Sequence, residues 1–220
     1  MTRINILVGG PKQFWPTVLK EHPETIPGQW LAADRGALRL LKLGLQPLAA
    51  IGDFDSLTAV ERQTVAQQVP DMQWAVADKD ETDTELALHL ALNHYHATQV
   101  VIYGATGGRL DHFLDNLFML LRADFRPYVP RIQIVDQQNL LQLYLPGTHT
   151  IVQAPGMHYV GFAPMTAVEK LTLYDTKYHL WLQDYAAPIM YASNQFTKKS
   201  ATFSFNSGVV AVIQSCDLNA

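Results

Sequence analysis

Apolar residues in the first half of the chain fall in short, nearly continuous runs: Ile4 to Val8, Trp30 to Ala33, Leu48 to Ile51 and Val100 to Tyr103. Runs of this length are too short for buried helices and lack polar alternation, so they predict strands covered on both faces. Helical periodicity follows three of them, beginning near Arg35, Leu57 and Leu110. Strand and helix in alternation predict βαβ units and a parallel sheet. After residue 130 the period changes. Arg131 to Val135, Leu141 to Leu145, Lys170 to Tyr174, His179 to Gln183 and Ala201 to Phe205 alternate apolar with polar, and Pro146-Gly147 and Pro155-Gly156 supply turns between such segments. Period-two segments separated by turn residues predict half-buried antiparallel strands.

The expected architecture is α/β: a Rossmann-like parallel sheet with helices on both faces over residues 1–130, then an all-β sandwich domain over residues 131–220. Composition narrows the class. Hydrophobic residues make up 48% and charged ones 16%, which excludes a disordered chain, and a formal charge of −4 supplies no basic field for nucleic acid. The single cysteine, Cys216, cannot form an internal disulfide and fits a reducing cytoplasm. The opening residues hold too short an apolar run for a signal peptide, and no stretch approaches the roughly 20 apolar residues of a membrane span. A cytoplasmic enzyme is expected.

In an open parallel sheet, ligands bind beyond the carboxyl ends of the strands. Here those ends read Gly9-Gly10, Asp34-Arg35-Gly36, Gly52-Asp53-Phe54-Asp55-Ser56 and Gly104-Ala105-Thr106-Gly107-Gly108-Arg109. Glycine lets backbone N–H groups approach a phosphate, and carboxylates on the same rim can hold a cation. Turn glycines and helix-capping aspartates explain any one of these loops. Four at one sheet edge strain that explanation. Asp53 and Asp55, with Phe54 between them, are expected to point the same way. Close carboxylates repel unless a cation neutralises them, so the pair predicts Mg²⁺ carrying the phosphates of a nucleotide.

Two further segments add candidates. In Asp78 to Glu85, Thr82 and Glu85 form a capping box that opens an apolar-faced helix, and acidic residues in a first turn suit the helix dipole. Capping accounts for Glu85 and partly for Asp83, but not for Asp78 and Asp80 crowding around Lys79. A metal or phosphate role is therefore assigned to Asp80 and Asp83. In Gly107-Gly108-Arg109-Leu110-Asp111-His112, glycines precede an arginine at a helix start, which offers a bidentate phosphate donor beside backbone N–H groups. Asp111 either orients Arg109 or binds metal. His89 and His96 read as two turns apart on one helix, with His94 on another face, and lack the spacing of a helical zinc pair.

Taken together and in order, Gly9-Gly10, Ala33 to Gly36, Gly52 to Ser56, Asp78 to Glu85, Gly104 to His112 and Ser193 to Phe196 resemble the thiamin pyrophosphokinase family along almost the whole chain. The resemblance implies an N-terminal α/β domain for ATP, a C-terminal β-sandwich, and a homodimer with thiamin sites between subunits. It implies Asp53, Asp55 and Asp83 as magnesium-site carboxylates, acting in catalysis with Arg109. It places Asp34, Lys79, Asp80, Gly107, Gly108, Arg109, Asp111, His112 and Asn116 in the nucleotide and phosphate loops. Lys177-Tyr178-His179-Leu180 and Ser193-Asn194-Gln195 resemble the family's thiamin-facing segments, which makes Tyr178, Ser193 and Asn194 substrate-site candidates. Departures cluster in the same region: His179 stands for proline, Gln195 for glutamate, and Asp175-Thr176 for a glycine-led pair. Trp181, Tyr185 and Tyr191 read either as β-sandwich core or as ligand contacts.

The implied reaction is attack by the thiamin hydroxyl on the β-phosphorus of ATP, giving thiamin diphosphate and AMP. Rival readings are a phosphohydrolase with Asp53 as nucleophile, a nucleotide-sugar transferase using the Asp-x-Asp pair, and a nucleotide-sensing module without catalysis.

Overall fold

The computed structural model describes residues 2–75 and 81–218. The chain divides into two compact units, one built from residues up to Met119 with Val135–Gln137, the other from Leu120–Ile134 and from Gln138 onward.

The first unit carries β1 (Arg3–Leu7), α1 (Thr17–Glu21), β2 (Gln29–Ala33), α2 (Gly36–Lys42), β3 (Pro47–Gly52), α3 (Ala59–Gln68), β4 (Asp71–Trp74), α4 (Asp83–His89), β5 (Gln99–Tyr103) and α5 (Leu110–Phe118). The five strands run parallel in the order β5-β1-β2-β3-β4. The chain thus builds outward from β1 to β4, then returns to place β5 on the other side of β1. That reversal is a topological switch point, where the strand ends open a crevice for a ligand.

Each strand predicted here by an apolar run is present, because its residues are sealed on both faces: Ile4, Ile6, Leu31, Ala32, Ala49, Ala50, Val100 and Ile102 are all buried. Asn5 is the polar exception in β1. Its amide donates to the Pro27 carbonyl at 3.0 Å and accepts from Arg3 Nε at 3.2 Å, so burial leaves it satisfied. Trp15, Leu19, Trp30, Leu38, Leu40, Phe54 and Val65 join in one apolar cluster. Each such side chain contributes about 1.5–3 kcal/mol on leaving water.

β4 has no counterpart in the sequence reading, because Asp71-Met72-Gln73-Trp74 is only partly covered and shows no apolar run. The capping box of Thr82 and Glu85 does open α4, with side chain and backbone reciprocally bonded. The histidine reading needs correction. α4 ends at His89 and passes into a π-turn over Leu90–His94, and His96 lies beyond it with a left-handed φ of 50°. His89 and His96 therefore share no regular helix, and His89 instead lies 3.3 Å from the Glu81 carboxylate.

The remaining strands are β6 (Ile132–Val135), β7 (Asn139–Tyr144), β8 (Gly147–Val152), β9 (Tyr159–Pro164), β10 (Val168–Leu173), β11 (Leu180–Tyr185), β12 (Tyr191–Gln195), β13 (Ser200–Phe205) and β14 (Val210–Ser215). In the second unit β12-β9-β14-β7 pair antiparallel, and so do β11-β10-β13-β8. Both sheets contribute to one apolar core, with Ile151, Phe162, Leu171, Phe203 and Val212 inside it. Trp181 is not part of that core. It is 67% exposed on β11, with its ring edge-on to Tyr174. Tyr185 and Tyr191 flank the core, and their hydroxyls meet at 2.7 Å.

No helix among the described residues is long and apolar enough to cross a membrane.

Candidate active site

A cavity of about 410 Å³ opens at the switch point of the first unit. Its wall is made by the residues after β1 (Val8 to Pro11), the end of β2 (Ala33, Asp34), the start of α4 (Thr82 to Thr84), the residues after β5 (Gly104 to Thr106) and the opening turns of α5. Two glycines let these segments meet. Gly104 takes a left-handed φ of 77°, and Gly10 donates its N–H to the Gly104 carbonyl at 2.8 Å. A methyl group on Gly10 would come within 2.0 Å of that oxygen. Backbone lines the cavity here because side chains have no room.

Carboxylates gather at the edge of this cavity. Asp34, Asp53 and Asp83 each offer an oxygen, and the three lie within 4.8 Å of one another. They come from the end of β2, the residue after β3 and the first turn of α4. Asp34 reaches the group through a left-handed φ of 47°, fixed by its N–H donating to the Ile51 carbonyl at 2.9 Å. Its Oδ1 is sealed from solvent and accepts no hydrogen bond among the described residues. A buried carboxylate oxygen left in that state is costly, and a cation is the partner that relieves it together with the mutual repulsion of the group. Three hard oxygen donors suit a hard divalent cation, Mg²⁺ among them.

Asp55 stands outside this group. Phe54 occupies a left-handed turn (φ 55°) and is fully buried, edge-on to Trp74 at 5.0 Å. The turn is held further by Arg62, which donates to the Phe54 carbonyl at 3.0 Å, and by Arg35, which donates to the Ser56 carbonyl. Within it the Asp55 N–H donates to Asp53 Oδ1 at 3.0 Å. The two acidic residues therefore sit in a tight turn, and of the pair Asp53 is the one grouped with Asp34 and Asp83. Asp34, assigned above to the nucleotide loops, takes the third position.

On the α5 side, Gly108, Arg109, His112 and Asn116 line the cavity. Arg109 precedes the first helical residue, and its Nε donates to Asp111 Oδ1 at 3.1 Å. That hydrogen bond is the main reason the Asp111 carboxyl titrates below its usual range. Asp111 pairs with Arg109 and is not in the cavity wall. Gly107 packs on Phe14, where a Cβ would come within 2.2 Å of the ring. Asn116 is buried and donates to the Ala105 carbonyl at 3.1 Å, bracing the residues after β5. Thr106 donates to the buried Asp136 carboxylate at 2.6 Å, a wall contact that no motif marked. Lys79 and Asp80 lie outside the described residues.

The second unit holds a separate cavity of about 480 Å³, lined in part by Tyr159, Lys177, Tyr178, Met190, Ser193 and Gln195. Ser193 is exposed and left-handed (φ 59°), at an irregularity in the pairing of β12 with β9. Asn194 points the other way. Its Oδ1 accepts from Tyr178 N and Gln195 N at 2.9 Å, and its Nδ2 donates to Thr176 Oγ1 at 3.1 Å and the Tyr178 carbonyl at 2.7 Å. Every polar valence is used inside the fold, so Asn194 shapes the Tyr178 segment from behind.

Comparison with known proteins places the chain in a family. Residues 28–133 match the thiamin pyrophosphokinase catalytic domain. Over 99% of its length the chain is 34% identical to the thiamine pyrophosphokinase of Bacillus subtilis (strain 168), which it covers completely. The chain belongs to the thiamin pyrophosphokinase family. Among solved structures, a thiamin pyrophosphokinase family protein from Enterococcus faecalis superposes with a TM-score of 0.92 at 40% identity, over 98% of this chain and 100% of that one. A protein from Lactobacillus plantarum superposes with a TM-score of 0.88 at 43% identity, over 99% of this chain and all of the other. In this thiamin pyrophosphokinase family member the carboxylate group and the glycine-walled cavity both lie within the first unit, and the Tyr178–Ser193 cavity lies within the second.

Proposed function

We propose that the chain acts as a thiamin pyrophosphokinase, transferring the terminal diphosphate of ATP to the hydroxyl of thiamin and releasing AMP. The observation that carries this reading is the convergence of Asp34, Asp53 and Asp83 beside a backbone-lined cavity large enough for a nucleotide's phosphates. The first unit works as a Rossmann-like ATP domain and the second as a β-sandwich that receives thiamin.

Asp34, Asp53 and Asp83 would hold Mg²⁺, with Asp55 on the same turn completing the ligand set once nucleotide is bound. The ion supplies charge neutralisation for the phosphate oxygens. The chain's own groups do the rest. The N–H groups around Gly9, Gly10 and Gly108 and the N-terminus of α5 receive the phosphate chain, and Arg109, oriented by Asp111, shares its charge. Gly107, Lys79, Asp80, His112 and Asn116 belong to the same nucleotide and phosphate loops. The thiamin hydroxyl oxygen attacks the β-phosphorus in line and gives up its proton to solvent, the bond from that phosphorus to the α–β bridging oxygen breaks, and AMP leaves with the bridging oxygen. Alignment and electrostatics supply most of the acceleration in such transfers.

Tyr178 and Ser193 face the thiamin cavity, with Asn194 behind them. Two exposed apolar surfaces support a homodimer: Leu110, Leu114 and Phe118 along α5 in the first unit, and Trp181, Ile189 and Met190 in the second. The enzyme works in the cytoplasm. The phosphohydrolase and sugar-transferase readings are not favoured, since neither accounts for the family match. An assay of AMP release with and without thiamin, and with EDTA, tests the proposal. AMP is expected only with thiamin and free divalent ion. Inorganic phosphate released without thiamin would overturn it.

A further inference from the structure

Arg39, on α2, lies behind the nucleotide cavity and not in its wall. Its Nη1 donates to the Gly10 carbonyl at 2.7 Å and to the Val8 carbonyl at 3.3 Å. Its guanidinium carbon lies 5.6 Å from the centroid of the buried Trp15 ring, which keeps the group in one orientation. Burial, then Arg35, pull its pKa below the usual value, and Asp34 pulls it back; a guanidinium stays charged throughout.

We propose that Arg39 is a positioning residue for the nucleotide, holding the Val8–Gly10 turn with its donors toward the phosphates and its acceptors away from them. This rests on reading the cavity as the ATP site. The chemistry follows from the peptide unit. The peptide bonds of this turn are trans, so a carbonyl and the N–H of the next residue point in opposite directions. With the Val8 carbonyl drawn to Arg39, the Gly9 N–H is aimed the other way, toward the cavity that Val8, Gly9 and Gly10 line. The peptide after Gly10 has no N–H to offer, because Pro11 follows. Its carbonyl would only repel a polyanion, and Arg39 takes it out of the wall. Gly10 is fixed from the opposite side by its N–H on the Gly104 carbonyl, so the turn is gripped at both ends. A lysine could reach a carbonyl but lacks the planar, many-donor guanidinium that lies over Trp15.

The test is steady-state AMP release by the full chain, with Mg²⁺–ATP varied at saturating thiamin and the reverse. Replacing two charge-assisted bonds in Arg39→Met should raise KM for ATP roughly ten- to a hundredfold. KM for thiamin should stay within about twofold, and Arg39→Lys should recover part of the loss. A folded Arg39→Met enzyme with the wild-type KM for ATP overturns the proposal. So does a variant that loses kcat and both KM values alike with no recovery in Arg39→Lys, since that is general loosening of the fold. If Arg39→Met does not fold, Arg39→Lys decides: a severalfold higher KM for ATP supports the role and an unchanged one overturns it. A wild-type protein that releases no AMP with thiamin overturns the ATP reading itself, and this proposal with it.

Discussion

Asp34 and Asp83 approach each other across Gly52: a methyl group on that glycine would come within 3.0 Å of Asp83 Oδ2 and 3.2 Å of the Asp34 Cα. Gly52 itself takes a φ of 150°, a conformation other residues rarely adopt. Two carboxylates from different elements are thus brought together over a position with no side chain. Gly52→Ala should push the group apart, lowering kcat by on the order of a hundredfold through lost electrostatic alignment. Activity assays across a magnesium series check this, and the midpoint in magnesium should rise in the variant.

Asn194 and Ser193 are neighbours with separable roles. Asn194→Ala removes four internal hydrogen bonds and strands their partners, so urea unfolding should show a loss of about 2–4 kcal/mol. Ser193→Ala, at an exposed position, should leave stability within about 0.5 kcal/mol and raise KM for thiamin alone.

Tyr144 gives a pH signature. Burial lifts its phenol from the usual 10.0 to about 12, with the ring packed edge-on against His149 at 5.0 Å and Phe203 at 5.2 Å. Between those values the folded chain holds a proton that the unfolded chain has released, so its contribution is complete below pH 10 and lost as pH rises toward 12. The full loss amounts to about 2–3 kcal/mol. Unfolding followed from pH 9 to 12 should show this decline in the wild type and a shallower one in Tyr144→Phe.

Legibility followed how local each cause was. The α4 capping box is contained in Thr82 and Glu85, and β1 and β5 in their own apolar runs, so the sequence displays them. β4 was hidden because its residues are half-exposed, and β8 because most of its side chains face solvent. In the carboxylate group, Asp53 and Asp83 were readable from their motifs. The place of Asp34 was not, nor that Asp55 falls outside the group. Both depend on left-handed turns at Asp34 and Phe54 that tertiary packing imposes, the second by burying Phe54 against Trp74. The bonds of Asn194 were hidden for a related reason: they join residues of separate segments, Thr176 and Tyr178, that the motif itself does not contain.

Mn²⁺ binding followed by electron paramagnetic resonance, in the presence of a non-hydrolysable ATP analogue, addresses the carboxylate group without relying on turnover. Wild-type protein should bind one ion, and Asp34→Asn and Asp83→Asn should each weaken it at least roughly tenfold. Equal Mn²⁺ affinity in the wild type and both variants would contradict a metal site built from Asp34, Asp53 and Asp83.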